Sequence, residues 1–207
     1  MCVDSDDEMS GDAVENIKKQ WCEIKDNNQV AGIIAYTKVT NSKVVSAAFP
    51  DDIYFSNLSR LYMSGYVGET ALIFRRSVLE KYKFPEIPGE KFITEDYVYD
   101  QIDQEYIYCL LRKICIIAEY RTDGYTYNAL KLKRDNPVGW YLYYEQRAKF
   151  STTIIGKFRN LAYANCFKGF GGVSIKNTMN NKIMNLIAAI PGLYLALRYN
   201  KEFKKLQ

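Results

Sequence analysis

The stretch "MCVDSDDEMSGDAVENI" (1–17) decides how the fold is interpreted, because aspartates surround one serine directly behind a short apolar segment. In a strand, residues i and i+2 point to the same side, so Asp4 and Asp6 would share one face and Ser5 would lie on the other. The same acids also suit a solvated turn before a helix, since acidic side chains are favoured near a helix N-terminus. A strand normally has about five residues, and only Met1, Cys2 and Val3 precede these acids.

The composition is that of an ordinary globular chain. It has 207 residues, of which 48% are hydrophobic and 25% charged, which is enough for one large domain. Histidine is absent, which excludes Ser-His and Cys-His nucleophiles and His-zinc sites. The net charge of +4 without a block of like charges argues against a dedicated nucleic-acid binder.

The cysteines and the N-terminal region bear on location. The five cysteines are odd in number and lack CxxC spacing, which favours a reducing, cytosolic compartment. Cys109, Cys115 and Cys166 lie among apolar residues, as buried thiols do. The first thirty residues carry several acids and no apolar core of the signal-peptide type.

Hydrophobic periodicity predicts an α/β domain followed by a helical tail. Strands are expected at 30–36, 43–49, 69–76 and 113–120, and helices at a capping box of Asp12 and Glu15, at 77–82, from Thr94 and from Pro137. Residues 83–92 contain two prolines and a glycine, which predicts a loop that looks mobile.

The acidic stretch allows four interpretations. One is the polar turn before a helix. An EF-hand loop fails because Met9 occupies the position that needs glycine. The phosphatase pattern fails because Asp7 stands where a small or hydroxyl residue usually follows the second acid. The fourth is a site for Mg²⁺ or Mn²⁺, in which Asp4 and Asp6 at the carboxyl end of a strand share the ion with a diphosphate.

A nucleotide sugar would supply such a diphosphate, and transfer from it to an acceptor hydroxyl would need a general base. Glu95 and Asp96 are the candidates for that base. They follow the Gly/Pro loop and open a helix. Taken alone, they are also explained as first-turn acids that the helix dipole stabilises. An early Asp-x-Asp is followed about ninety residues later by Glu-Asp on a capped helix. The two motifs together indicate this chemistry more specifically than either motif does alone.

Three segments resemble a known family: "VDSDDEMSGDAVENIKKQW" (3–21), "GETALIFRRSVLEKYKFPEIPGEKFITEDYVYDQID" (68–103) and "AEYRTDGYTYN" (118–128). They are similar to family 2 inverting glycosyltransferases of the bacterial surface-polysaccharide type. The resemblance implies a partial GT-A fold, which is a Rossmann-like nucleotide-diphospho-sugar transferase fold, with a helical C-terminal tail. Residues 1–130 would be its metal- and acceptor-binding half, and residues 131–207 a helical extension.

The resemblance also implies roles for particular residues. Asp4, Ser5 and Asp6 would form the cofactor-binding segment, with Asp4 and Asp6 as ligands of Mg²⁺ or Mn²⁺. Asp96, or Glu95 beside it, would be the catalytic base of a single displacement that inverts the anomeric centre. The implied partners are a nucleotide-diphosphate sugar donor and a glycan or lipid-linked acceptor, with no nucleic acid.

The chain departs from the family pattern at its start. It lacks the family's Pro-Thr-Tyr-Asn-like turn and its Asp-Asp-Gly-Ser-like nucleotide motif. We therefore expect an N-terminally truncated enzyme whose parallel sheet has an unpaired edge. The alternative is an inactive fragment, or a complementing subunit that lacks the nucleotide-binding half and binds a partner through that edge.

The tail "IMNLIAAIPGLYLALRY" (183–199) contains no acidic residue and one basic residue, and lysines flank it. A break is expected at Pro191–Gly192. Two interpretations remain open: an interfacial segment that touches anionic lipid, or a buried C-terminal hairpin of helices. A helix that spans the membrane is a weaker interpretation, because the segment is near the lower length limit for a span. The expected location is cytoplasmic, with peripheral contact at the inner surface of the cytoplasmic membrane.

Overall fold

The computed structural model describes residues 1, 3–41, 47–119, 121, 124, 127–171 and 182–206. Its architecture is mixed α/β, as predicted. The chain forms two compact units: unit 1 comprises Met1–Lys83 and Val98–Arg121, and unit 2 comprises Phe84–Tyr97 and Thr122–Gln207. The sequence-based division placed a single boundary at residue 130.

Unit 1 is built on a mixed sheet. Its strands are β1 (Glu8–Met9), β2 (Val30–Val39), β3 (Phe55–Ser56), β4 (Thr70–Phe74) and β5 (Ile107–Ala118). The order is β1-β5-β2-β4, and β3 also pairs with β5. β2 and β5 are parallel, whereas the other pairings are antiparallel. β5 is thus the strand that joins β1, β2 and β3.

β2 is buried along most of its length, which explains why its sequence is an unbroken apolar run. Ile33 and Ala35 lie in the core of unit 1 together with Cys109 and Leu111 of β5. The strands predicted at 30–36 and 69–76 correspond to β2 and β4. The strand predicted at 43–49 falls mostly outside the described residues, and 47–49 carry no strand.

β5 starts earlier than residue 113, where the sequence predicts a strand. It begins at Ile107, directly after helix α4 (Asp96–Glu105), with only Tyr106 between the two elements. Its pairing with β2 shifts register between Ala35 and Tyr36, where Arg112 and Lys113 are skipped. The polar bulge interrupts the apolar run, so only the second half of β5 reads as a strand.

The helices of unit 1 are α1 (Ala13–Ile24), α2 (Leu58–Met63) and α3 (Arg76–Leu79), together with α4 beyond its first turn. The predicted capping box at α1 is wrong: Asp12 is the N-cap residue, but its side chain makes no cap bond. The Ser10 hydroxyl instead lies 3.0 Å from the Asp12 carboxylate. α2 is capped from α4, because the buried carboxylate of Asp103 accepts bonds from the backbone N–H groups of Leu58 and Ser59.

Unit 2 contains the predicted helical tail. Its helices are α5 (Ala129–Asp135), α6 (Pro137–Phe150), α7 (Ile154–Gly171) and α8 (Lys182–Lys204), and α6 begins with proline at its first position, as expected. α7 and α8 run parallel. Phe158 and Met184, near the two helix starts, pack on one cluster, and the rings of Phe170 and Phe203, near the two ends, lie 5.2 Å apart.

α8 continues through Pro191, so the predicted break at Pro191–Gly192 is wrong. A proline inside a helix removes one intrahelical hydrogen bond and adds a clash. Packing outweighs that cost, because Gly192 lies so close to α7 that a Cβ there would stand 2.8 Å from the Ala162 carbonyl oxygen. Within the described parts of the chain, no helix has the length and apolar character needed to cross a bilayer.

The three cysteines predicted to be buried are buried. Burial raises the pKa of the Cys109 thiol to about 11 and that of the Cys166 thiol to about 12, and it also raises the pKa of Cys115. All three therefore remain neutral thiols at physiological pH.

Candidate functional site

Asp4 to Asp7 form a turn in unit 1. The backbone N–H of Asp7 donates to the carbonyl oxygen of Asp4 at 3.1 Å, and Ser5 and Asp6 occupy the turn. The expectation that Asp4 and Asp6 project from one face of a strand is therefore wrong. Among the described residues, strand pairing starts at Glu8, after the acids, because aspartate and serine favour turns through bonds to nearby backbone.

The turn lies beside the carboxyl ends of the parallel strands. β1, which follows it, pairs with the end of β5 through Glu8 and Ile117. β2 runs parallel to β5, so the last residues of both strands lie at the same edge. In open α/β sheets, ligands bind at this edge.

The carboxylates at this edge influence one another. Asp4, Ser5 and Asp6 are exposed, whereas Asp7 is half-buried. Burial is the main cause that raises the pKa of Asp7, and the charges of Asp4, Asp6 and Glu69 raise it further. Glu69 directly precedes β4, which starts at the carboxyl end of β2 because the two strands are antiparallel. A concentration of carboxylates such as this attracts cations.

Arg121 adds a positive charge beside the turn. Its Nε lies 3.5 Å from Oδ2 of Asp6, and both side chains are partly exposed. An ion pair of this kind contributes about 1 kcal/mol or less, so other ions can displace it readily. A guanidinium group also matches the geometry of phosphate oxygens. The edge therefore offers partners both for a cation and for a phosphate.

The donor set of the turn suits a hard divalent cation. Mg²⁺ is usually bound by one or two carboxylates together with the phosphates of a substrate, and Asp4 and Asp6 can supply such a pair. Among the residues that the structure describes, no group of three or more His, Cys, Asp or Glu side chains is placed to hold a metal ion.

In unit 2, Asp96 is the first residue of α4. Its Oδ2 accepts a hydrogen bond of 3.2 Å from the hydroxyl of the buried Tyr143. The Tyr143 ring is itself covered by the guanidinium of Arg147, 5.0 Å from the ring centroid. Glu95 is more exposed than Asp96. The two neighbouring carboxylates thus differ in exposure, and the hydroxyl of a packed side chain orients Asp96.

The Gly/Pro loop that leads to these acids is held against α6. Oε1 and Oε2 of Glu90 accept hydrogen bonds of 2.6 Å and 2.7 Å from the backbone N–H groups of Val138 and Gly139. These groups belong to the first turn of α6, where N–H groups lack intrahelical partners and negative charge is favoured. Glu90 therefore caps α6 and fixes the loop at the same time.

Two further contacts complete this attachment. Oδ1 of Asn136 accepts hydrogen bonds from the backbone N–H groups of Lys91 and Phe92, at 2.8 Å and 3.0 Å. Nε2 of Gln146 donates to the carbonyl oxygen of Tyr97 at 2.7 Å. The backbone on both sides of Asp96 is therefore bonded to the region that begins α6 or to α6 itself. The loop that looked mobile in the sequence carries these fixed contacts.

Replacing Glu90 by alanine is expected to lower the free energy of unfolding of unit 2 by about 1–3 kcal/mol, because two N–H groups of α6 lose their acceptor. Urea denaturation followed by the fluorescence of Trp140, in a background without Trp21, measures this loss, because Trp140 lies in the first turns of α6. Glu86→Ala, in the exposed part of the same loop, is the control and should change stability by about 0.5 kcal/mol or less. Equal effects of the two changes would show that Glu90 does not hold the loop.

The sequence did not single out Glu69, Arg121 or Tyr143. Glu69 and Arg121 stand at the ends of strands, before β4 and after β5, and this position was the signal available. Tyr143 lies 47 residues from Asp96 on a different helix. No local pattern connects that pair.

The structure thus brings Asp4, Ser5 and Asp6 together on one turn of unit 1, and it places Glu95 and Asp96 at the start of α4 within unit 2. Each set is defined within its own unit. No family model matches the chain, and no curated protein or solved structure matches it significantly.

Proposed function

We propose that the chain is the metal- and acceptor-binding part of an inverting glycosyltransferase with a GT-A-type fold. It would move a sugar from a nucleoside-diphosphate sugar to a hydroxyl of a glycan or lipid-linked acceptor, as in the assembly of surface polysaccharide. The observation that carries the proposal is the acidic turn of Asp4 to Asp7 beside the carboxyl ends of β2 and β5. The resemblance of the three sequence segments supports it.

Unit 1 has the role of binding the donor diphosphate. Asp4 and Asp6 would hold the Mg²⁺ or Mn²⁺ ion, with Ser5 between them in the turn. When bound, such an ion offsets the negative charge that develops on the departing nucleoside diphosphate. The Arg121 guanidinium, which lies against Asp6, is available to pair with phosphate oxygens.

Unit 2 has the role of activating the acceptor. The Asp96 carboxylate accepts the proton of the acceptor hydroxyl while the hydroxyl oxygen forms a bond to the anomeric carbon. The bond from that carbon to the diphosphate oxygen breaks on the opposite side, so the configuration inverts. The Tyr143 hydroxyl, bonded to Oδ2 of Asp96, orients the carboxylate, and the contacts of the preceding loop fix the backbone that carries it.

Calorimetric titration of Mn²⁺ into the full chain, with and without a nucleoside diphosphate such as UDP or GDP, tests the donor site. We expect the nucleoside diphosphate to tighten Mn²⁺ binding, because its phosphates complete the ligand shell. Asp4→Asn and Asp6→Asn should each abolish this effect. Asp26→Asn, an exposed aspartate elsewhere in unit 1, is the control and should bind as the unchanged chain does. Unaltered binding by the Asp4 and Asp6 variants would refute the donor site.

Turnover distinguishes the enzyme from the complementing subunit. Release of nucleoside diphosphate from a panel of nucleotide sugars, measured on the chain alone, supports the transferase. If Mn²⁺ and nucleoside diphosphate bind but no donor is turned over, the chain is the non-catalytic subunit.

A further inference from the structure

Between Ile183 and Leu197, helix α8 carries apolar side chains on every side apart from Asn185, although the residues that the structure describes cover only one side of it. Ala188, Gly192 and Phe203 are buried, and Gly192 lies directly against α7. A helix that is apolar on all sides is normally buried on all sides. We therefore expect a binding partner to cover the second side of α8.

That second side is a continuous apolar stripe, which we call the α8 face. Its seven large side chains are 55–75% exposed: Ile183, Leu186, Ile187, Ile190, Leu193, Tyr194 and Leu197. At about 100° per residue they fall within an arc of about 120°. No charged residue occurs between Ile183 and Leu197. Contiguous apolar patches of this kind mark interaction surfaces.

The start of α7 carries two further exposed apolar side chains. Ile154 and Ile155 are 76% and 82% exposed. Because α7 and α8 run parallel, these residues lie at the same end of the helix pair as Ile183. Exposed apolar side chains therefore stand at the beginning of both helices.

Positive charge follows the α8 face toward its end. Lys182 and Arg198 bound the uncharged segment, and further lysines follow at 201, 204 and 205. Lys201 and Lys204 continue the same arc of about 120°, and Lys205 follows directly after the helix. Glu202 is the only acid from residue 182 onward, and it pairs with Lys205 at 3.0 Å. The face is thus apolar first and basic at its end, with almost no negative charge.

We infer that the α8 face docks on the surface of an anionic lipid bilayer. Hydrocarbon at the level of the headgroups would cover the apolar side chains, and anionic headgroups would attract the lysines at the end of the helix. The aliphatic stems of these lysines can lie along the apolar region while their ammonium groups reach the headgroups.

A second copy of this chain fits the face less well. In a symmetric pair, the same patch meets itself. In a parallel pair the lysines at the end of one α8 would face those of the other, and in an antiparallel pair they would face Lys182 at its start. The chain as a whole has a net charge of +4. A bilayer supplies both apolar volume and the opposite charge. This inference goes beyond glycosyl transfer and does not depend on it.

Flotation of the full chain with lipid vesicles tests the inference. We expect the chain to float with vesicles of phosphatidylcholine mixed with phosphatidylglycerol, to float less with phosphatidylcholine alone, and to be released as salt is raised. Ile190→Glu and Leu193→Glu should each lower the affinity for the mixed vesicles about tenfold or more. Lys201→Glu should lower the affinity for the mixed vesicles, and it should leave the weaker binding to pure phosphatidylcholine vesicles unchanged.

Val14→Glu, which places the same charge on an exposed apolar position of α1, is the matched control and should bind as the unchanged chain does. Thermal melts should be the same for all variants, since each altered side chain is exposed. The inference is overturned if the chain floats with neither vesicle, if it floats equally with both, or if the α8 variants float like the control. Sedimentation that shows a dimer dissolved by Ile190→Glu, without flotation, would assign the face to a second copy instead.

Discussion

Gly32→Ala is expected to unfold the sheet of unit 1. Gly32 lies in β2 at a register shift, where it is paired with Phe74 of β4 and Tyr108 of β5. A Cβ at this position would stand 1.9 Å from the carbonyl oxygen of Ile73 and 2.9 Å from its carbonyl carbon. Both atoms belong to the backbone of a paired strand, so no rotamer change relieves the clash.

Overpacking a core costs about 1–3 kcal/mol, and more when the neighbour cannot move. A loss of this size is a large fraction of the stability of a small domain. Gly11→Ala is the matched control, because a Cβ on Gly11 meets no atom within 4 Å. Trp21 lies in unit 1 and Trp140 in unit 2. Urea unfolding followed in backgrounds with a single tryptophan therefore reports each unit separately.

We expect the Trp21 signal of Gly32→Ala to show unit 1 unfolded, or unfolding at a much lower urea concentration. Gly11→Ala should leave the same signal close to that of the unchanged chain. Equal stabilities of the two variants would contradict the pairing of β2 with β4 at this register.

Asp96→Asn is expected to have the largest effect on transfer. An amide cannot accept the proton of an acceptor hydroxyl, and a general base contributes about 10²–10⁴-fold to the rate. The Tyr143 hydroxyl can still donate to the amide oxygen, so the local structure should persist. We therefore expect kcat to fall by about that factor, while binding of Mn²⁺ with a nucleoside diphosphate is unchanged.

Glu95→Gln distinguishes the two neighbouring acids. It should retain most of the activity, because Glu95 is more exposed and Tyr143 is bonded to Asp96. Asp100→Asn, one turn further along α4, controls for the loss of a charge on this helix. A large loss of kcat in Glu95→Gln with near-normal Asp96→Asn would transfer the role of base to Glu95. A loss of donor binding in Asp96→Asn would show that Asp96 belongs to the donor site.

Local patterns predicted most of the elements, and long-range contacts decided the remainder. The buried run at 30–36 and the helical spacing after Thr94 are strong local signals, and both elements are present. The first half of β5 was not predicted as a strand, because its polar bulge is explained only by the register with β2. Pro191 signals a break in any sequence, whereas α8 continues because Gly192 packs on α7.

The candidate site shows the same division between local sequence signals and long-range contacts. The spacing of Asp4 and Asp6 was enough to single them out, but their geometry depends on a turn bond and on a strand that pairs with residue 117. The bond from Tyr143 to Asp96 joins residues that no sequence period relates. The candidate site residues could be identified from the sequence, whereas the residues that contact them in the fold could not.

The central position of β5 has a consequence for the order of folding during synthesis. β5 pairs with β1, β2 and β3, yet it is the last strand of the sheet to leave the ribosome. Until residues 107–118 emerge, the apolar run of β2 has only β4 as a strand partner, and an unpaired strand edge of this kind is prone to aggregation. Pairings between residues so distant in the chain also form slowly. We therefore expect a nascent chain of this protein to be prone to aggregation until β5 closes the sheet.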